Sequence, residues 1–282
     1  MNKNINKVKS SIEKMPSLSP VVHKITEVAN NINSSAQDLT DVIQMDPVLT
    51  AKVIRMVNSA YFALPQHVRS LKQAIVMLGI NTIKNVALSS SFLGGVNLKG
   101  KTNLSGEDFW KHSFGVAVAS KMIAKRLGIT EKYLEQYFIA GLLHDIGKVL
   151  INNFFPDEMN KILKIISIKE LSIIEIEKKI IGLSHEEIGI AIGKKWKFEK
   201  ALLFAVGKHH QPVFNGSMAI YPMIVSIADV FVKILKVGDS GNSKIDPVPE
   251  EVWKSIKLDE EAVFVALSSI KKEIETARIF LK

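Results

Sequence analysis

Cysteine is absent from all 282 residues. That absence removes disulfide scaffolds, cysteine-ligated zinc, iron–sulfur clusters and thiol nucleophiles together. Protein ligands for a metal must then come from His, Asp or Glu. No apolar run approaches the ~18–20 residues needed to span a bilayer. Residues 1–14 alternate Lys, Asn and Ser with single apolar residues and lack the apolar core of a signal peptide. A cytoplasmic protein is expected. No Arg cluster or basic–aromatic interleaving is visible, which argues against a nucleic-acid surface. No segment shows sustained strand-like alternation.

What is present is globular: 47% hydrophobic and 23% charged residues, enough length for about two domains or one large one. The net charge is +9, and most of that excess lies in the first hundred residues. It suits acidic partners or phosphate ligands, or is simply a lysine-rich solvated surface. Helical periodicity dominates. Ile25, Val28, Ala29 and Ile32 share a face. Pro47 to Asn58 reads as a helix with Pro at its first position. A stripe through Leu71, Ile75 and Leu78 stops at Gly79, and Asn81 is placed to cap the next helix, through Phe92. The cluster of Gly, Lys and Asn around residues 94–104 is the best internal boundary. It divides the chain into 1–100 and 101–282. Ser105 opens a long helix to Leu127-Gly128, and Thr130 another to Gly147. Ser184 with Glu187 forms a capping box. Met223 to Leu235 is strongly apolar, residues 236–249 read as a surface loop, and a last helix runs from Asp259 to Leu281. The fold class is all-α: a multi-helical N-terminal part packed on a second helical domain.

The chemistry is concentrated in His and Asp. His144-Asp145 ends an apolar helix, and Asp229 lies inside the apolar run Ile224–Phe231. A buried charge needs a partner or a metal. His112 lies in the preceding long helix. Together, His112, His144, Asp145 and Asp229 make a four-ligand set from three helices. His185 is either a further ligand or an ordinary first-turn residue of a capped helix. His209-His210 is either a ligand pair or an exposed pair near a helix C-terminus, where imidazolium suits the dipole. Asp108 is either an extra carboxylate ligand or a helix-N-terminal acid. Lys148 is either a charge partner in the site or a helix-terminal lysine. Asp46 reads as an N-cap and Asn58-Ser59 as a C-terminal turn; Tyr61 is a further polar landmark. His23 and His67 have no ligand-like setting.

The order His112, His144-Asp145, His185, His209-His210, Asp229 resembles the ligand series of the HD superfamily of metal-dependent phosphohydrolases, above all its HD-GYP branch. The Gly-Tyr-Pro motif of that branch is missing after His210. Leu18-Ser19-Pro20, Ile43-Gln44-Met45-Asp46-Pro47-Val48-Leu49, Val57-Asn58-Ser59-Ala60-Tyr61-Phe62 and Ser70-Leu71-Lys72-Gln73-Ala74-Ile75-Val76-Met77-Leu78-Gly79 resemble the N-terminal half of the HDOD family, the HD-related output domains of bacterial signalling proteins. Ser184-His185-Glu186-Glu187-Ile188-Gly189, Trp196 and His209-His210-Gln211-Pro212 are similar to its C-terminal half.

The resemblance implies an all-helical regulatory module that binds a signalling partner or a small phosphorylated ligand. It also implies metal ligation by His112, His144, Asp145, His185, His209, His210 and Asp229. Such a donor set suits one or two divalent transition ions, Fe or Mn first, Ni or Zn next. Where many relatives have lost these ligands, this chain keeps them. The alternative is therefore a metal-dependent phosphohydrolase or phosphodiesterase acting on a nucleotide or cyclic dinucleotide. In that case Asp145 bridges the ions and Lys148 stabilises charge on phosphoryl oxygens.

Overall fold

Local capping chemistry fixes where five of the described helices start. The Asp46 carboxylate accepts from the Leu49 amide at 3.0 Å, and Ser70 and Ser105 cap their helices in the same way. At Ser184 the cap is reciprocal: its hydroxyl accepts from the Glu187 amide and the Glu187 carboxylate from the Ser184 amide. Ser35 and Asp38 form a second such box. Each satisfies amides that the first helical turn leaves free. Gly79, at φ +81°, stops one helix where a side chain would be strained.

In the computed structural model, residues 2–15, 20–30, 33–58, 62, 64–80, 82–84, 86–87, 90, 98, 101–168, 171–212, 216, 218–242, 244–256 and 260–277 are described. They contain helices α1 (Asn2–Lys14), α2 (Pro20–Asn30), α3 (Ala36–Gln44), α4 (Pro47–Val57), α5 (Leu71–Leu78), α6 (Gly106–Arg126), α7 (Glu131–Leu143) and α8 (Ile146–Phe154). There follow α9 (Pro156–Ile166), α10 (Ile173–Ile180), α11 (His185–Lys195), α12 (Lys200–Lys208), α13 (Ile220–Ile234), α14 (Glu250–Ile256) and α15 (Glu260–Ala277). No strand occurs among the described residues, and the protein is all-α. The expected features at Ser59, Tyr61, Asn81, Phe92 and most of residues 94–100 lie outside the described residues.

Apolar packing forms two clusters. The smaller runs from Ile25 to Ala87 and joins α2, α3, α4 and α5. Asn58 braces it, donating to the carbonyls of Ile54 and Val68 and accepting from the Val68 amide at 2.7 Å. The larger cluster runs from Leu104 to the end of the described chain and also takes in Val8, Met15 and Val22. Helix α6 is its axis, packed along α7 and α13, while α11 packs on α8 and α12. Helix α1, at the far end of the sequence, packs against α8 and α11. Lys195 fastens it there, donating to the backbone carbonyls of Ile12, Glu13 and Met15 at 2.7–2.9 Å. These carbonyls cluster at a helix C-terminus, where a cation is favoured.

Replacing Lys195 with Met keeps the stem and removes those donors. Stability should fall by about 1–2 kcal/mol, read as a lower melting temperature. An unchanged melting temperature would mean that apolar contact alone docks α1.

Candidate metal centre

Five segments meet at one point inside the larger cluster. Helix α6 brings His112, and α13 brings Asp229. His185 opens α11, and His209-His210 follow the end of α12. The helix expected to run through to Gly147 instead ends at Leu143. His144 and Asp145 form the break before α8. The break matters because adjacent residues on a continuous helix point about 100° apart, whereas here both side chains turn into the same space. Gly147 makes the geometry possible: a Cβ there would overlap the His185 carbonyl, so only glycine lets α8 and α11 start this close together.

The donor atoms fall into two groups. Those of Asp145, His185, His209 and His210 lie within 4.8 Å of one another, as do those of His112, His144 and Asp229. Asp145 joins the groups: Oδ1 lies 3.2 Å from His185 Nε2, and Oδ2 lies 3.2 Å from His144 Nε2. Across the second group, His112 Nε2 is 3.0 Å from Asp229 Oδ1. His112 Nε2, His144 Nε2, His210 Nε2, Asp145 Oδ1 and Asp229 Oδ1 are all buried without a hydrogen-bond partner. Unpaired buried polar atoms are rare and costly, so their convergence fits a shared cation.

Outer contacts orient the rings. His144 Nδ1 is 2.7 Å from the Gly141 carbonyl and His209 Nδ1 3.0 Å from that of Val206. Glu177, fully buried, accepts from both the amide and Nδ1 of His185 at 2.7 Å. With the outer nitrogens so engaged, Nε2 faces inward, the arrangement of metal-ligating histidines. Glu186 accepts from the His210 amide at 3.0 Å, and Asp246 lies 3.5 Å from His210 Nδ1.

Burial and pairing set the protonation states. Burial depresses His112, His185 and His210 below the ordinary imidazole range, favouring neutral donors. Burial also works against His209, but the Asp145 carboxylate 3.7 Å away and the nearby Glu186 outweigh it and raise the group. Burial opposes ionisation of both aspartates. His144 and Lys148 nevertheless hold Asp145 well below the carboxylate range, and Lys233 and His112 do the same for Asp229. Burial pushes Glu177 up to about 7.

All seven residues singled out from the sequence therefore come together, along with Lys148, whose ammonium pairs with Asp145 Oδ2 at 2.8 Å. Asp108 does not: its side chain is 47% exposed and lies beside Lys111. The expected surface loop, residues 236–249, is irregular in its described residues and also straps part of the centre. Gly238 (φ +64°) presses against the backbone of Asp108 and His112, leaving no room for a Cβ. The Asp239 amide donates to the Asp108 carbonyl, and buried Ser240 accepts from Lys148 at 3.2 Å. Sequence reasoning missed Glu177, Glu186, Lys233, Ser240 and Asp246. Only Lys233 carried a local signal, its i,i+4 spacing from Asp229.

The HDOD domain profile matches residues 15–212. The chain belongs to the HDOD family. The fold is shared with an HDOD domain protein from Geobacter sulfurreducens (24% identity, 99% of this chain and 97% of that one, TM-score 0.81). It is also similar to a candidate phosphohydrolase from Shewanella amazonensis (25%, 97% and 98%, 0.73). A candidate signal transduction protein from Marinobacter aquaeolei matches too (19%, 99% and 66%, 0.79). The chain spans about half, or less, of the length of the curated relatives it matches. No described helix is long and apolar enough to cross a membrane.

Glu177→Gln keeps the side-chain volume but sets an amide NH2 near two donors. Mn2+ affinity should drop about 10–100-fold with unchanged stoichiometry in calorimetric titration. Equal affinity in the two proteins would show that His185 needs no outer partner.

Proposed function

We propose that this chain is a bacterial signal-transduction module of the HDOD type that retains a metal centre and acts by binding a partner protein or a small phosphorylated ligand. The ions would be held by Asp145, His185, His209 and His210 on one side and by His112, His144 and Asp229 on the other. Fe and Mn suit that donor set best, with Ni or Zn next. A divalent ion there supplies Lewis acidity toward a phosphoryl oxygen. Lys148 carries the positive charge that such a group meets first.

The observation that carries this reading is closure. The ligand side chains are 8% exposed at most. Lys148 is 1% exposed and tied to the strap through Ser240. A centre so covered reports occupancy through the segment above it more readily than it turns over a bulky substrate. The second reading, a phosphohydrolase, is favoured by the intact donor set and by the Lys148–Asp145 pair, a charged group of the kind that stabilises phosphoryl oxygens.

Wild type, Asp229→Ala and Lys148→Ala separate the two. Protein purified without chelator should carry a first-row transition metal. Asp229→Ala should lose metal and melt lower; Lys148→Ala should keep its metal. Under the signalling reading, phosphodiester turnover with Mn or Fe stays at background in all three. Turnover that Lys148→Ala lowers while metal remains bound would establish the hydrolase instead. Equal metal and equal melting in all three would end the metal reading.

A further inference from the structure

A cleft of about 960 Å³ opens between the start of α6, the C-terminal end of α9 and the strap. Ser240 turns inward to Lys148, while its neighbours Asp239, Gly241 and Asn242 line the cleft. The walls are tied to one another. The Asp239 amide donates to the Asp108 carbonyl at 3.0 Å, and Asn160 of α9 accepts from the Asn103 amide at 2.9 Å. A preformed concave space of this size suits a small organic ligand and is far larger than a free oxyanion needs. Two features of its lining are left over. Asn242 is buried, and its Oδ1 accepts from the Lys244 amide at 3.2 Å, but its Nδ2 has no hydrogen-bond partner. A buried donor of that kind is costly unless an acceptor reaches it. The charges are also uneven in their commitments. Asp108 lies beside Lys111, Asp239 accepts from the Gly241 amide at 2.8 Å, and Asp246, whose charge Lys244 also feels, faces His210. Lys164 and Lys244 line the cleft and form no ion pair among the described residues. Leu163, Ile166 and Ile168 add an apolar side, with Ile168 73% exposed.

We propose that this cleft is a binding site for a nucleoside monophosphate. Its phosphate meets Lys164 and Lys244, two ammonium groups that suit a dianion better than a single carboxylate. Its base lies along Leu163, Ile166 and Ile168. The polar edge of the base or the sugar supplies the acceptor that Asn242 Nδ2 lacks, and the Asn103 amide offers the paired donor and acceptor that a base edge takes. None of the candidate metal ligands is among the described lining residues, and the strap's share of the cleft lies beyond residue 212, where the family match ends. The proposal rests on the small-ligand arm of the reading above and does not depend on metal at the centre.

The probes are the 5′-monophosphates of adenosine, guanosine, cytidine and uridine, titrated into the full chain by calorimetry beside the parent nucleosides and inorganic phosphate. At least one monophosphate should bind at a single site, with its nucleoside and free phosphate about tenfold or more weaker. Lys164→Met and Lys244→Met should each weaken that binding about tenfold. Asn242→Asp keeps the volume and the acceptor for the Lys244 amide but sets a carboxylate oxygen where the free donor was, and should abolish binding. Lys161→Met, an exposed position of α9 outside the cleft, should leave the affinity unchanged. Should Asn242→Asp melt early, the two lysine variants, neither at a buried position, carry the comparison. Monophosphate binding that is equal in wild type and every cleft variant would overturn the cleft as the site while leaving the phosphorylated-ligand reading standing. Binding of none of the monophosphates would overturn the nucleotide site and leave that reading only its partner-protein arm.

Discussion

Two carboxylates and five imidazoles share a space from which the bundle excludes water, and charge there is costly unless it is offset. The neighbouring structure is arranged around that cost. Lysines take one oxygen of each aspartate, and two backbone carbonyls and Glu177 take the outer nitrogens of three histidines. What is left over is a set of inward-facing lone pairs with no protein partner. Helix placement follows from the same need. Helices α7 and α8 break at His144-Asp145, and α8 and α11 start in contact because Gly147 permits it.

The sequence revealed some of this because certain residues contradict their surroundings. Asp229 stands out as a charge within an apolar helix, and His144-Asp145 as an ionisable pair at the end of one. Capping residues such as Ser105 and Ser184 act within three positions, so their helices were legible from local pattern. The outer partners were not. Glu177 sits among lysines in a short amphipathic helix and looks like any solvated glutamate. Only the fold, eight residues on, places it under the His185 ring. The strap was legible as a loop from its Gly, Ser, Asp and Pro, but its inward contacts were not: Ser240 and Asn242 are buried because the bundle supplies their surroundings. Helix α1 was illegible because what docks it, Lys195, lies 180 or more positions away.

The division of packing gives the centre a distinct setting. Among the described residues, the Ile25–Ala87 cluster contributes none of the candidate ligands; all come from segments of the larger cluster. One ion pair recorded between the two parts, Lys84 with Glu199 at 3.5 Å, lands at the start of α12, whose far end carries His209-His210. Helix α12 thus runs from that contact to the candidate ligands.

The strap separates two properties that proteins with buried centres usually have to change together. The candidate ligands come from five places in the chain, so altering them means altering several helices in concert. The strap is one short stretch, pinned at the start of α6, at Lys148 and at His210. A few substitutions in that stretch would therefore alter the cover of the centre while leaving the candidate ligands in place.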